Sequence, residues 1–130
     1  MGPTKFDAVS AGVVGVSDAG AISAAMAVAM PDAPVTVDPV EVMGDDAIVG
    51  WQQGDMAGRA LLRRGHGQWR VVLRGGADLR LPAFLTAQGV GDADRLSQMF
   101  NAAEDAMGAD HVAHASAFQG VVMQGEAVHD

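Results

Sequence analysis

The stretch that decides the fold is Gly44–Gly76, GDDAIVGWQQGDMAGRALLRRGHGQWRVVLRGG. Short apolar runs in it are separated by glycine-rich turn sequences, a pattern that predicts antiparallel strands joined by tight turns. The predicted strands are Ala47–Gln53, Ala57–Arg64 and Gln68–Arg74. Val35–Met43, directly upstream, alternates in the same way and predicts a further strand, with Pro39 typical of an edge or a bend.

The segments that flank the strands have helical spacing. Ile22, Ala25, Met26 and Ala29 form one apolar stripe, which predicts a helix that begins near Ser17 and ends before Pro31. Downstream, the spacing predicts helices over Leu79–Gln88, Asp92–Met107 and Asp110–Phe118. A terminal strand or extended tail is predicted over Gln119–Met123.

These elements predict a single α+β domain over residues 1–130. Its core is a meander of about four antiparallel strands, packed on one face by an N-terminal helix and two or three C-terminal helices. Residues 1–16 are predicted to form a loose arm or a short strand, and residues 124–130 a disordered tail.

Composition and charge exclude several classes of function. The chain has 130 residues, a formal net charge of −8 and no cysteine. An acidic chain lacks the basic footprint of general nucleic-acid binding, and the absence of cysteine excludes disulfides, thiolate metal sites and cysteine nucleophiles. The longest uncharged runs, Ala8–Ser17 and Ala19–Pro31, are too short to span a bilayer. Because Asp7 and Asp18 interrupt this apolar region, we predict no secretory signal peptide.

Six of the eight basic residues fall within Arg59–Arg80. With its one aspartate this segment carries +5, which leaves −13 for the rest of the chain. Alternation along the last strand puts Trp69, Val71 and Leu73 on one apolar face, and the other face of the sheet is then partly basic.

Two interpretations of the arginines follow. Guanidinium forks bind carboxylate and phosphate groups, so one interpretation is a site for a small anion formed by Arg59, Arg63, Arg70 and Arg74. The charge split favours the other, in which the arginines pair with acidic residues of the same chain or of a second subunit. Association with a protein partner or a second copy is therefore also an open interpretation.

A candidate metal site lies near the C-terminus. His111 and His114 are three residues apart and share a face if the segment is helical. With Met123 and His129 they form a possible ligand set, because imidazole binds zinc, copper and nickel and thioether sulfur selects Cu(I). The pattern lacks the spacing of H-E-x-x-H, and simple surface exposure is the alternative interpretation.

The sequence contains no recognisable catalytic motif. It has no G-x-S-x-G, no P-loop and no dinucleotide fingerprint. The carboxylate pair Glu104 and Asp105 is interpreted as solvated charge on a helix. We therefore predict a non-enzymatic protein, with a small cystatin-like pocket enzyme as an alternative that rests on fold analogy alone.

Several stretches carry a family resemblance. They are AISAAM (Ala21–Met26), the segment Pro31–Leu73 with its GW-x-QG, GRALLRR and G-x-W-x-VVL motifs, and AFQGVVM (Ala117–Met123). Over about residues 20 to 123 the chain resembles a small bacterial family labelled copper uptake system-associated proteins. The resemblance implies a periplasmic accessory protein with copper as the associated ion. The absence of cysteine fits a periplasmic and a cytoplasmic location alike, so both stay open. Members of that family carry a cysteine where this chain has Arg74-Gly75-Gly76.

Overall fold

A computed structural model describes residues 16–123 of the chain. The tail predicted over residues 124–130 lies outside the described residues. So does the arm predicted over residues 1–16, except for Val16, which begins a helix.

One antiparallel sheet forms the centre of the fold, with its five strands arranged in sequence order. The strands are β1 (Thr36–Met43), β2 (Asp46–Gln53), β3 (Met56–Gly65), β4 (Gln68–Gly75) and β5 (Val121–Met123). The predicted α+β meander is confirmed, with one strand more than the four expected because Val121–Met123 pairs with β4. In the turn between β3 and β4, His66 and Gly67 have φ angles of 53° and 78°, as a two-residue type I′ hairpin requires.

Within residues 16–123, four α-helices and one 3₁₀ turn surround the sheet. They are α1 (Val16–Ala29), the 3₁₀ turn Ala77–Arg80, α2 (Pro82–Ala87), α3 (Ala93–Asp105) and α4 (Ala109–Ser116). None of these helices, all within residues 16–123, has the length and hydrophobicity needed to cross a membrane.

Helices cover both faces of the sheet. Val49 of β2 packs with Ile22 of α1 in one core, whereas the adjacent Ile48 packs with Phe100 of α3 in a second core. We call these the α1 face and the α3 face. The prediction that all helices pack on one face is therefore wrong. Leu61 and Leu62 are adjacent and both fully buried, so each face of β3 needs its own cover.

A β-bulge at Val72 interrupts the alternation of β4. Leu73 pairs with Leu61, whereas Val71 pairs with the next residue of β3, which leaves one extra residue on β4. Leu73 consequently belongs to the α3 face, while Trp69 and Val71 belong to the α1 face. The predicted common face of these three residues is wrong at Leu73, because alternation assumes a regular strand.

Candidate functional site

Arg59 of β3 forms a buried ion pair with Glu104 of α3, and both side chains are completely inaccessible to solvent. Arg59 Nε lies 2.8 Å from Glu104 Oε2, and Arg59 Nη2 lies 2.7 Å from Glu104 Oε1. The guanidinium also donates to the carbonyl oxygens of Gly76 and Val112 and to the hydroxyl of Ser116, at 3.0, 3.3 and 3.1 Å. Arg59 thus links β3 to α3 and α4.

Glu104 also accepts a second guanidinium. Arg80 Nη1 lies 3.4 Å from Glu104 Oε1, while Arg80 Nε donates to Asn101 Oδ1 and Nη2 to Asp105 Oδ1, both at 2.9 Å. The Ser97 hydroxyl and the Asn101 amide donate to the Arg80 carbonyl oxygen. We call Arg59, Glu104 and Arg80 the buried arginine cluster. The interpretation of Glu104 as solvated charge is wrong, because its carboxylate is the anion of this cluster.

Two further arginines are paired with aspartates of the turn region between β1 and β2. Arg63 Nε donates to Asp46 Oδ1 at 2.7 Å, and Arg64 Nε donates to Asp45 Oδ1 at 3.1 Å. Arg64 Nη1 also lies 3.4 Å from Asp18 Oδ1 of α1. Internal pairing, the interpretation that the charge split favours, is therefore confirmed for Arg63 and Arg64 as well as for the buried arginine cluster.

The structure does not bring the four predicted anion ligands together. Arg59 is buried against Glu104, and Arg63 and Arg70 are cross-strand partners on the α3 face. Arg74 pairs in register with Ala60 and lies on the α1 face, because the bulge in β4 reverses the alternation. The predicted convergence of the four arginines on one face is therefore wrong at Arg74, and anion binding by these arginines stays a prediction.

A groove opens between the β2–β3 turn and the C-terminal end of α4. Its volume is about 520 Å³, and Met56, Ala57, His114, Ala117 and Phe118 contribute to its lining. Phe118 is held in place by edge-to-face contact with a buried indole, that of Trp51, at 5.5 Å between ring centroids. The walls of this groove are mostly apolar, and few of the exposed atoms that line it are polar. We call it the Met56–His114 groove.

Two candidate donor groups line the Met56–His114 groove. His114 Nε2 lies 2.7 Å from the Asp55 carbonyl oxygen. Because a carbonyl only accepts, Nε2 donates its proton, and Nδ1 of the neutral ring carries the lone pair. Metal-binding histidines are commonly oriented in this way by a backbone carbonyl. Met56, the next residue after Asp55, is 55% exposed and lines the same groove.

Of the other predicted metal ligands, neither His111 nor Met123 lines the Met56–His114 groove. Nε2 of His111 is buried and has no hydrogen-bond partner, Met123 lies on β5 opposite Leu73, and His129 lies outside the described residues. Within residues 16–123, no group of three or more His, Asp or Glu side chains could hold a metal ion. Met56 was not predicted as a ligand, because the sequence around a methionine next to a turn does not distinguish a ligand from a core side chain.

One carboxyl group outside the groove has a displaced pKa. Glu41 lies on β1 opposite Ile48, near the β1–β2 turn and at the other end of the sheet from the Met56–His114 groove. Partial burial raises the pKa of Glu41 above its ordinary value of 4.5, because desolvation disfavours the charged form. Because Glu41 lies far from the groove, its raised pKa reflects packing of the sheet and has no role in the candidate site.

Comparison with known proteins adds no identification to this geometry. No protein-family model, no curated protein and no solved structure matches the chain. The groove, the arginines and the sequence resemblance are therefore the features from which a function can be inferred.

Proposed function

We propose that this protein is a non-enzymatic accessory protein that binds Cu(I) in the Met56–His114 groove. The observation that carries the proposal is the contact between His114 Nε2 and the Asp55 carbonyl oxygen, next to the exposed Met56. Because the Asp55 carbonyl oxygen occupies Nε2, Nδ1 would be the nitrogen donor of His114, and Met56 lines the same groove. Thioether ligands select Cu(I), and imidazole also suits copper.

The donor set fits Cu(I) better than the common divalent ions. Structural zinc takes four ligands, usually from cysteine and histidine, and the chain has no cysteine. Calcium takes six to eight oxygen ligands. The apolar wall formed by Ala57, Ala117 and Phe118 favours a monovalent ion with neutral ligands, because desolvation of a divalent charge costs more.

The sequence resemblance supports the same ion by a separate route. Residues 20–123 resemble copper uptake system-associated proteins, whose label connects them with copper handling. On this proposal the protein acts in the bacterial periplasm, and His114 and Met56 replace the cysteine-containing segment of that family as the source of ligands.

The alternative functions have less support. Arg59 and Arg63 already donate to carboxylates of the protein, so an external anion would compete with internal ion pairs. For a pocket enzyme, the described lining of the Met56–His114 groove offers no hydroxyl or thiol nucleophile.

Anaerobic Cu(I) titration against a chromophoric chelator tests the proposal. We expect one Cu(I) to bind per chain. The affinity should be at least about tenfold weaker in His114→Ala and in Met56→Leu, because loss of a group that merely orients a metal ligand already lowers metal affinity by that factor. The matched controls are His66→Ala and Met107→Leu, which alter an exposed histidine and a partly exposed methionine outside the groove. Absence of Cu(I) binding, or equal losses in the control and groove variants, would contradict the proposal.

A further inference from the structure

Among the described residues, β4 has an edge that is open along part of its length. β3 pairs with one side of β4 along its length, whereas β5 pairs on the other side only with Leu73, Arg74 and Gly75. Within residues 16–123, the outer side of Gln68–Val72 therefore has no strand partner. Such an edge presents backbone N–H and C=O groups to any further strand.

Arg70 lies at the middle of this open edge. Its side chain is exposed and forms no hydrogen bond or ion pair with the part of the chain that the structure describes. The neighbouring basic side chains differ in this respect, because carboxylates of the fold bind Arg59, Arg63, Arg64 and Arg80. Among the described residues, Arg70 is thus a cation without a counter-charge.

The charge of Arg70 restricts the kind of strand that fits. Antiparallel pairing of two copies through β4 would bring two Arg70 side chains near each other, and like charges on facing strands are destabilising. A glutamate or aspartate on the added strand would instead form a favourable cross-strand pair with Arg70. β5 demonstrates that the same edge accepts an antiparallel strand over its last three residues.

We propose that the open edge of β4, Gln68–Val72, is a strand-addition site for an acidic extended segment of a partner protein. Backbone hydrogen bonds to β4 supply the affinity, and the carboxylate opposite Arg70 supplies the selectivity. The site lies at the end of β4 away from the β2–β3 turn, so it is separate from the Met56–His114 groove and independent of Cu(I).

The test uses the full chain and a capped, fluorescently labelled peptide of about seven residues, a common strand length, with alternating valine and glutamate. We expect fluorescence anisotropy at low ionic strength to show binding, and a lysine analogue of the peptide to bind about tenfold more weakly. Arg70→Glu should weaken binding of the acidic peptide by a similar factor. Arg95→Glu is the matched control, because Arg95 is also exposed and unpaired among the described residues.

Several results would overturn the inference. They are failure of the acidic peptide to bind, equal binding of the lysine peptide, and equal effects of Arg70→Glu and Arg95→Glu in variants whose circular dichroism matches the parent. A dimer by light scattering that Arg70→Glu alters would assign the edge to a second copy. If the double variant Arg70→Cys, Glu126→Cys formed a disulfide within one chain, the open edge of β4 would be assigned to the chain's own C-terminal residues.

Discussion

Replacing Glu104 by glutamine removes the only anion of the buried arginine cluster while keeping the shape of the side chain. The carboxylate accepts from Arg59 Nε and Nη2 and lies 3.4 Å from Arg80 Nη1. A glutamine amide has one accepting oxygen where the carboxylate has two, so one N–H of Arg59 would face an NH₂ group. The Arg59 guanidinium would remain buried without a counter-charge.

The expected loss follows from the burial of both partners. Removing one member of a fully buried ion pair costs about 3–5 kcal/mol, because the other charge is left uncompensated. In a domain of this size that lowers the melting temperature by roughly 10–20 °C. Glu104→Leu combined with Arg59→Met should lose less than Glu104→Gln alone, because it removes the buried charge together with its partner.

Urea denaturation followed by the fluorescence of Trp51 and Trp69 measures this loss. The control is Asp105→Asn, which breaks the contact of Arg80 with a carboxylate that is 62% exposed and should cost at most about 1 kcal/mol. A decrease in the free energy of unfolding below about 1 kcal/mol in Glu104→Gln, or one no larger than that of the control, would refute the reasoning, because an uncompensated buried charge costs more than that.

Three further substitutions test other parts of the fold. Burial raises the pKa of Glu41, so ionisation of this carboxyl lowers the free energy of unfolding as the pH rises through its pKa in the folded protein. Glu41→Gln should therefore raise the free energy of unfolding by up to about 0.5 kcal/mol over the parent at pH 7 and by little below pH 4.5. An equal increase at both pH values would contradict this. A Cβ on Gly58 would lie 2.7 Å from Trp51 Cζ2, so Gly58→Ala should cost about 1–3 kcal/mol in urea denaturation. Gly20→Ala, on α1 with open space around it, should instead gain about 0.5–1 kcal/mol, and the reverse order of these two glycine variants would count against the packing described.

The strands were predicted correctly because turn residues and alternating apolar runs are visible in short stretches of sequence. Turn residues such as Gly54 and the His66-Gly67 pair mark the ends of alternating runs, and the described strand bounds differ from the predicted ones by one or two residues. The bulge at Val72 escaped prediction because it depends on register with β3 and not on β4 alone. Two-sided packing had a signal in the adjacent Leu61 and Leu62, both of which are buried.

Long-range contacts were beyond the reach of sequence patterns. Arg59 and Glu104 are 45 residues apart, and nothing near Glu104 separates it from the exposed Asp105. His114 was predicted as a metal ligand, but its contact with the Asp55 carbonyl oxygen spans 59 residues, and Met56 joins the candidate site through that contact. Spacing along one helix therefore predicted one of the two proposed donors and missed the other.

Copper K-edge X-ray absorption of the Cu(I)-loaded protein tests the proposed site most directly. A site formed by His114 and Met56 predicts nitrogen and sulfur together in the first coordination shell, with the sulfur contribution lost in Met56→Leu and kept in Met107→Leu. A shell of nitrogen and oxygen alone, or sulfur that persists in Met56→Leu, would contradict binding of Cu(I) in the Met56–His114 groove.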